Sequence, residues 1–200
     1  MRVGIDFDNT IVNYDGVFHS VAITEGLIPP HIGNKKSDVQ AYLHAKGKHD
    51  EFTWLQGLVY GKRIGLASVY DGFRDFLSFC HSNHAKVFVV SHKSKYPIIG
   101  EKYNLHTCAL RFLQDNNLFD DGLLNEQNVF LEETLNGKIE KACDLNLDFF
   151  VDDLVKIAEN DRLRSKTNTI LFDPDKKHGR SIASSVACSW PMTSRLIFNE

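Results

Sequence analysis

Short apolar runs alternate with amphipathic segments along most of the chain. Five runs have the length and the β-branched or aromatic content of buried strands, and they cover residues 3–7, 86–90, 128–131, 148–151 and 169–172. Between them, apolar residues recur at helical spacing over 73–80 and 105–112. This alternation predicts an α/β fold in which helices cover a largely parallel sheet.

The first two predicted strands are separated by about eighty residues, far more than one crossover helix requires. The intervening sequence predicts a helix over 17–25 that stops before Pro29 and a second helix opened by a capping box at Ser37. A third helix has an apolar face that includes Phe52 and Leu55. We therefore predict a small helical module over residues 14–69, inserted into a core domain formed by residues 1–13 and 70–200.

Composition and charge limit the classes of function. The chain has 200 residues, is 42% hydrophobic, and carries 23 basic against 26 acidic residues for a net charge of −3. It has neither a basic run suited to polymeric nucleic acid nor an apolar segment of membrane-spanning length. Its cysteines are far apart, and aspartates interrupt the early apolar stretch, unlike a signal peptide. We expect a cytoplasmic protein with no membrane or nucleic acid polymer as a partner, and the oligomeric state is left open.

Polar residues follow three of the predicted strands. Asp6 and Asp8 follow the first strand in DFDNT, Ser91 follows the second in VVSHKS, and Asp152 and Asp153 follow a later one in FFVDDL. Because ligands bind at the carboxyl ends of parallel strands, we expect these side chains to share one edge of the sheet. A single aspartate at such a position is usually a turn former or a helix cap. Capping needs only one group per helix, however, and does not explain a cluster across three strands.

Clustered carboxylates indicate a hard cation, and Mg²⁺ held together with a substrate phosphate is the commonest use of such a site. A phosphate dianion about 4 Å from one carboxylate meets a repulsion of roughly 8 kcal/mol at an effective dielectric constant of about 20. A site that handles phosphate therefore also needs a fixed positive charge. Lys138, at the start of the helix that precedes the strand ending at Asp152, is the first candidate, and Lys141 is the alternative.

Taken in chain order, DFDNT, VVSHKS, the segment around Lys138 and FFVDDL resemble the four motifs of the haloacid dehalogenase-like (HAD) hydrolase superfamily. The resemblance covers about residues 1–175 and is closest to an uncharacterised, phosphatase-type bacterial branch with a small helical cap. It implies a Rossmann-like three-layer α/β/α core, with the module at 14–69 serving as the cap.

The resemblance also implies roles for the site residues. Asp6 would attack phosphorus and form an aspartyl-phosphate, while Asp8 would protonate the leaving oxygen and then activate water. Lys138 would be the fixed cation. The Asp6 carboxylate and the Asp8 backbone carbonyl would bind Mg²⁺. Asp152 would complete the protein ligands, and Asp153 would bind directly or through water.

Several neighbouring residues are candidates for contacts with the phosphate. The resemblance implies that Thr10 orients the carboxylates and that Ser91 donates a hydrogen bond to the transferring phosphoryl group. His92 is a further candidate for phosphate binding, and Lys93 is expected to line the entrance of the site. His178, in FDPDKKH, is expected to lie in a surface loop.

Together these residues favour a Mg²⁺-dependent phosphomonoester hydrolase acting on a small organic phosphate such as a sugar phosphate or a nucleotide. The presence of Asp8 disfavours a dehalogenase, because a departing halide needs no protonation. A phosphomutase or phosphotransferase with the same intermediate and a non-catalytic Mg²⁺- and phosphate-binding protein are the alternatives. The cap is expected to exclude water and to read the leaving group. Its candidate contact residues are His31, Lys35, Lys36, Trp54, Tyr60, Lys62 and Arg63.

Overall fold

A computed structural model describes residues 1–178 and 185–199 of the chain, without the side chain of Asp121. The strands of this part are β1 (Arg2–Ile5), β2 (Val12–Asn13), β3 (Ser68–Val69), β4 (Lys86–His92), β5 (Val129–Glu132), β6 (Phe149–Asp152), β7 (Asn168–Phe172) and β8 (Ser185–Ala187). Six of them form one parallel sheet in the order β5-β4-β1-β6-β7-β8, and β2 pairs with β3. The predicted α/β fold with a parallel sheet is confirmed.

Helices connect and cover these strands. In the described residues they are α1 (Val17–Thr24), α2 (Lys36–Ala45), α3 (His49–Tyr60), α4 (Phe73–Ser82), α5 (Leu105–Asp115), α6 (Leu135–Asp144), α7 (Val155–Ala158), α8 (Asp161–Arg164) and α9 (Trp190–Phe198). Short 3₁₀ turns cover Ile64–Leu66, Asp120–Gly122 and Glu126–Asn128. Among the helices described, none combines the length and the apolar character needed to cross a membrane.

The ends of the five predicted strands agree with the observed ones to within two residues, which is the usual precision of local sequence patterns. β4 is the clearest example, since it continues to His92 rather than ending at residue 90. The predicted capping box at Ser37 is wrong. The N-cap of helix α2 is Lys35, two residues earlier, and the Asp38 carboxylate accepts the Lys35 backbone N–H at 3.2 Å.

The chain packs as two units. The first comprises Met1–Val12, Val69–Lys93 and Asn116–Glu200, and the second comprises Asn13–Ser68 and Ser94–Asp115. The first unit contains the six-stranded sheet, and the second contains α1, α2, α3 and α5. The helical module predicted at 14–69 does not include α5, whereas the second unit does.

The interior of the first unit is built around the sheet. Phe88, Val90 and Phe150 belong to a buried cluster that also includes residues of α6 and α8. Gly4 allows β1 to lie against its neighbours, because a Cβ at this position would be only 2.6 Å from a ring carbon of Phe150. A second cluster surrounds the fully buried Trp190, whose ring centroid lies 4.7 Å from that of Phe73. Dense packing of this kind fixes the strands whose ends carry the polar residues.

The second unit has an aromatic interior. The ring centroids of Phe18 and Tyr60 are 5.6 Å apart in an edge-to-face arrangement, and Tyr14 packs edge-to-face against both rings. Lys36 Nζ donates a hydrogen bond to the Tyr60 hydroxyl at 2.7 Å and lies over the Phe18 ring, 5.1 Å from its centroid. Two of the predicted cap residues, Lys36 and Tyr60, are thus engaged inside this unit.

Candidate active site

Three neighbouring strands of the first unit reach the same edge of the sheet with the predicted polar residues. β1 lies between β4 and β6, and all three strands run parallel. The pairing continues beyond the end of β1, because the Asp6 backbone N–H donates to the Val151 carbonyl oxygen at 2.9 Å. Asp6, Ser91 and Asp152 therefore come to one edge, as the strand pattern predicts.

Lys138 joins two of these carboxylates. Its Nζ lies 2.5 Å from Asp6 Oδ1 and 2.5 Å from Asp152 Oδ2. The contact with Asp6 is a hydrogen bond, and the contact with Asp152 is an ion pair. The lysine is only 1% exposed, and Asp152 is fully buried.

The local sequence explains how a lysine reaches this buried position. Helix α6 begins directly after β5, and the Thr134 hydroxyl at its N-cap accepts the Gly137 backbone N–H at 3.0 Å. Lys138 is in the first turn of this helix, on the face that also buries Ile139 and Ala142. The ammonium group is thereby delivered to the carboxyl edge of the sheet.

The electrostatics of this cluster are governed by burial. Desolvation by itself would lower the pKa of Lys138, but the charges of Asp152 and Asp6 outweigh it, and the pKa is raised above that of an ordinary lysine. Burial, reinforced by repulsion from Asp6 and opposed by attraction to Lys138, raises the pKa of Asp152 to about 6. Burial and the charges of Asp6 and Asp152 raise the pKa of Asp153 to about 8. The lysine stays charged, while the carboxylates repel one another.

Within the described residues, Asp6, Asp152 and Asp153 form a cluster that could hold a metal ion. One carboxylate oxygen from each lies within 4.8 Å of the others. Hard oxygen donors of this kind suit Mg²⁺, and a divalent cation would offset the repulsion that raises the pKa values of Asp152 and Asp153. The residues present therefore fit a divalent cation.

Two hydrogen bonds orient this cluster. Asp152 Oδ1 accepts the Leu154 backbone N–H at 2.9 Å, which fixes the turn after β6. Asn9 Nδ2 donates to Asp153 Oδ2 at 3.3 Å. Asn9 itself adopts a left-handed backbone conformation with φ of 59°, which asparagine tolerates better than most residues. The loop after β1 thus supports a carboxylate at the end of β6.

Asp8 faces a different cation. Lys93 Nζ lies 2.6 Å from Asp8 Oδ2, and the Lys93 side chain is 3% exposed against 18% for that of Asp8. The carboxylate of Asp8 does not belong to the cluster that could hold a metal ion in the described residues. The two aspartates of DFDNT are thus separated into two charge pairs, one with Lys138 and one with Lys93.

No protein-family model and no curated protein matches the chain. Solved structures do match along almost its whole length. A HAD family hydrolase from Deinococcus radiodurans R1, crystallised with bound phosphate and sodium, has a TM-score of 0.64 and 15% identity, covering 99% of this chain and 95% of its own. A predicted phosphatase from Clostridium acetobutylicum has a TM-score of 0.62 and 14% identity, with coverages of 100% and 98%. The chain has the HAD fold.

A third match extends the range of named activities on this fold. A predicted phosphoglycolate phosphatase from Haemophilus somnus 129pt has a TM-score of 0.56 and 12% identity, covering 98% of this chain and 96% of its own. At these identities the likeness establishes the HAD fold, and the chemistry has to be argued from the side chains at the site.

The predicted phosphate-binding residues occupy different environments in this HAD fold. Ser91 and Thr10 are buried, and Thr10 Oγ1 has no hydrogen-bond partner among the described residues. The Thr10 carbonyl, by contrast, accepts a hydrogen bond from Trp190 Nε1 at 3.2 Å. The His92 side chain is exposed, and because side chains alternate along a strand it points away from the face that carries Ser91. Phosphate contacts by these three side chains remain predictions.

The structure separates the two candidate lysines. Lys138 lies in the carboxylate cluster, whereas Lys141 Nζ lies over the Phe130 ring at 4.8 Å from its centroid. His178 has an exposed side chain, and its backbone N–H donates to Asp173 at 2.7 Å.

The predicted cap residues lie in the second unit. Arg63 is paired with Glu25 at 3.7 Å and Lys35 with Asp15 at 3.5 Å, whereas His31 and Lys62 are exposed. Trp54 lies beside Gly100, where an added Cβ would come within 2.7 Å of the indole ring.

Three contacts at the site are not anticipated by the sequence pattern. Lys93 is buried against Asp8, although we expect it to line an entrance; Asn9 holds Asp153; and Trp190 reaches the loop after β1 from the C-terminal helix. The Asn9 contact has a local signal, since an asparagine in a turn, here directly after Asp8, favours a left-handed conformation. The other two depend on how distant elements pack.

Proposed function

We propose that the chain is a Mg²⁺-dependent phosphomonoester hydrolase that acts through an aspartyl-phosphate on Asp6. The observation that carries the proposal is the buried arrangement of Asp6, Lys138, Asp152 and Asp153 at the carboxyl edge of the sheet. Buried charges of both signs are costly to maintain and concentrate at functional sites. Their place on a HAD fold agrees with hydrolysis of a phosphate ester.

The proposed reaction gives the two aspartates of DFDNT different tasks. The Asp6 carboxylate, oriented by Lys138, attacks phosphorus, and the bond from phosphorus to the leaving oxygen breaks while Asp8 gives that oxygen a proton. In the second half, Asp8 takes a proton from water, whose oxygen attacks phosphorus and releases Asp6 and inorganic phosphate. A Mg²⁺ ion bound by Asp6, Asp152 and Asp153 would supply positive charge against the phosphate oxygens.

Lys138 contributes a permanent charge to the same site. With its pKa raised by Asp152 and Asp6, it stays an ammonium at neutral pH and offsets one of the two negative charges of a phosphate monoester. Ser91 and Thr10 would add hydroxyl donors. The reaction thus uses the buried side chains of Asp6, Lys138, Asp152, Ser91 and Thr10.

We also propose that the helical second unit selects the substrate, which is the role expected of the cap in the HAD hydrolases that the sequence resembles. Its exposed Lys62, next to Arg63, is suited to a second anionic group on a small organic phosphate. Lys62→Ala would then raise KM for a bisphosphate or phospho-acid and leave KM unchanged for a phosphate monoester whose alkyl group is uncharged.

The proposal is tested by phosphate release from a panel of sugar phosphates, nucleotides and phospho-acids, with Mg²⁺ and with EDTA. Turnover that requires Mg²⁺ and disappears in Asp6→Asn supports hydrolysis and identifies the leaving group. Phosphoryl exchange between substrates without net phosphate release would favour a mutase or phosphotransferase. Mg²⁺ binding without turnover of any substrate would favour the non-catalytic alternative.

A further inference from the structure

Lys93 is a second buried lysine at the carboxyl edge of the sheet, and the reaction described above does not use it. Its ammonium nitrogen lies 2.6 Å from Asp8 Oδ2 and 5.2 Å from the centroid of the Phe7 ring. The residue is 4% exposed. A lysine so deeply buried is uncommon unless it is paired, and here the partner is the aspartate to which we assign the acid and base steps.

The position of Lys93 is fixed by the sheet rather than by a mobile loop. Its backbone N–H donates to the Glu132 carbonyl oxygen at 2.8 Å, which continues the pairing of β4 with β5. It follows Ser91 by two positions and therefore lies on the same face of the extended strand. Asp8, in contrast, belongs to the loop after β1 and has the more exposed side chain of the pair. The sheet therefore fixes the backbone of Lys93, and the ammonium group of Lys93 holds the Asp8 carboxylate.

We propose that Lys93 is a positioning residue that fixes the orientation of the Asp8 carboxylate for proton transfer to the leaving oxygen. The inference rests on the proposed phosphatase function. As the proton leaves Asp8, the resulting carboxylate faces the ammonium of Lys93 at hydrogen-bond distance. Because an alkoxide leaves only when it is protonated, whereas a nitrophenolate leaves unaided, Lys93 matters most for alkyl phosphates.

The leaving group provides the test. The value of kcat/KM reports only the steps up to transfer of the phosphoryl group to Asp6, so it isolates the acid role of Asp8 from its later base role. We expect Lys93→Met to lower kcat/KM about 100-fold for an alkyl phosphate and less than about fivefold for 4-nitrophenyl phosphate. Lys86→Met, at the exposed opposite end of the same strand, is the matched control and should leave both values unchanged.

A double-mutant cycle separates positioning from direct binding of phosphate. Asp8→Asn should show the same dependence on the leaving group, and Asp8→Asn combined with Lys93→Met should be no slower than Asp8→Asn alone. Equal losses for both leaving groups, losses that add to those of Asp8→Asn, or weaker inhibition by inorganic phosphate in Lys93→Met would overturn the proposal in favour of a direct phosphate contact.

Folding and the proposed function are controlled separately. If Lys93→Met does not fold, Lys93→Gln, whose uncharged side chain is one atom shorter but keeps a hydrogen-bond donor, is compared in the same way. Thermal unfolding of the wild type, both single variants and the double variant measures the coupling of Lys93 with Asp8 without any substrate, and additive shifts would overturn the pairing. If the wild type turns over no phosphate ester, both proposals fail, whereas turnover with equal losses overturns only the role of Lys93.

Discussion

The central strands of the sheet carry charged residues at both of their ends, and the two ends differ in how these charges are accommodated. At the amino end, Lys86 and Asp148 are exposed, and Asp148 Oδ2 accepts the Arg2 backbone N–H at 2.7 Å. At the carboxyl end, Lys138 and Asp152 are almost completely buried. Exposed charges cost little and contribute little, whereas each buried ion costs several kcal/mol in lost hydration. The fold thus keeps its charged side chains exposed at the amino edge of the sheet but buries them at the carboxyl edge.

This contrast is most direct within β6. Asp148 precedes the strand and Asp152 ends it, so the two aspartates are four residues apart on one segment. The first is solvated, and the second is surrounded by Asp6, Asp153 and Lys138. A local preference for aspartate at strand ends explains the first position but not the second. This difference is expected if the carboxyl edge retains its charges for the proposed phosphate chemistry.

We expect the largest effect from a substitution of Asp152, the buried aspartate of β6. Asp152→Asn removes a charge from the proposed metal site and should lower Mg²⁺-dependent phosphate release about 1000-fold, equivalent to about 4 kcal/mol of barrier. Asp148→Asn, at the other end of the strand, should change the rate less than about twofold. Steady-state rates of phosphate release by both variants measure these losses. Comparable losses in the two variants would mean that the two edges do not differ in function.

The second effect concerns the stability that Lys138 supplies. Lys138→Met leaves Asp6 and Asp152 buried without their cation and should lower the free energy of unfolding by about 3–5 kcal/mol. Lys141→Met, one turn later on the same helix, is the control, and we expect a loss below about 1 kcal/mol from its contact with the Phe130 ring. Urea unfolding without added metal measures both. An unchanged midpoint for Lys138→Met would contradict the buried ion-pair network.

Mg²⁺ should stabilise the carboxyl edge of the sheet and leave the amino edge unaffected. At a metal concentration of about 100 times Kd, binding to the folded state adds about 2.7 kcal/mol to the free energy of unfolding. Asp153→Asn removes one of the repelling carboxylates, so the metal-free variant should unfold at a higher temperature than the wild type and gain less from Mg²⁺. Thermal unfolding with and without Mg²⁺ measures this, with Asp148→Asn as control. A full Mg²⁺ response in Asp153→Asn would exclude that residue from the site.

The smallest effect belongs to the amino edge. Arg2 Nε donates to the Leu145 carbonyl oxygen at 2.6 Å, and its guanidinium lies 4.5 Å from the centroid of the Phe88 ring. Arg2→Ala should cost about 1 kcal/mol of stability and leave kcat/KM unchanged. Urea unfolding and steady-state kinetics on the same preparation provide both values. A tenfold loss of activity with intact stability would place the amino edge in the site.

Sequence patterns predict most of the sheet and the charged edge because the information is local. Apolar runs mark the strands, and polar residues directly after them mark the edge, so Asp6 and Asp152 follow from periodicity and the rule for parallel sheets. Lys138 is harder to predict, but the start of an amphipathic helix fixes its position to within one helical turn. The same reasoning leaves Lys141 open, and only the packing of α6 separates the two.

Contacts that depend on pairing between distant segments are not predicted. β4 reads as ending at residue 90, but its pairing with β5 extends it, and this extension brings Lys93 onto the face of Ser91. A lysine just beyond an apparent strand end looks solvated in the sequence. The helical module shows the same limit, because α5 belongs to the second unit although its apolar spacing fits a helix packed on the sheet.

The hydrogen bond from Trp190 Nε1 to the Thr10 carbonyl has a consequence for biosynthesis. The two residues are 180 positions apart, so the loop after β1 leaves the ribosome long before the helix that supports it. β1 must also wait for β4 and β6, its neighbours in the sheet, to be translated. Nascent chains that stop before residue 190 should therefore carry all four aspartates of the site yet lack the support of this loop. The loop that carries Asp8 and Thr10 is therefore translated early in this domain but is supported only after Trp190 has been made.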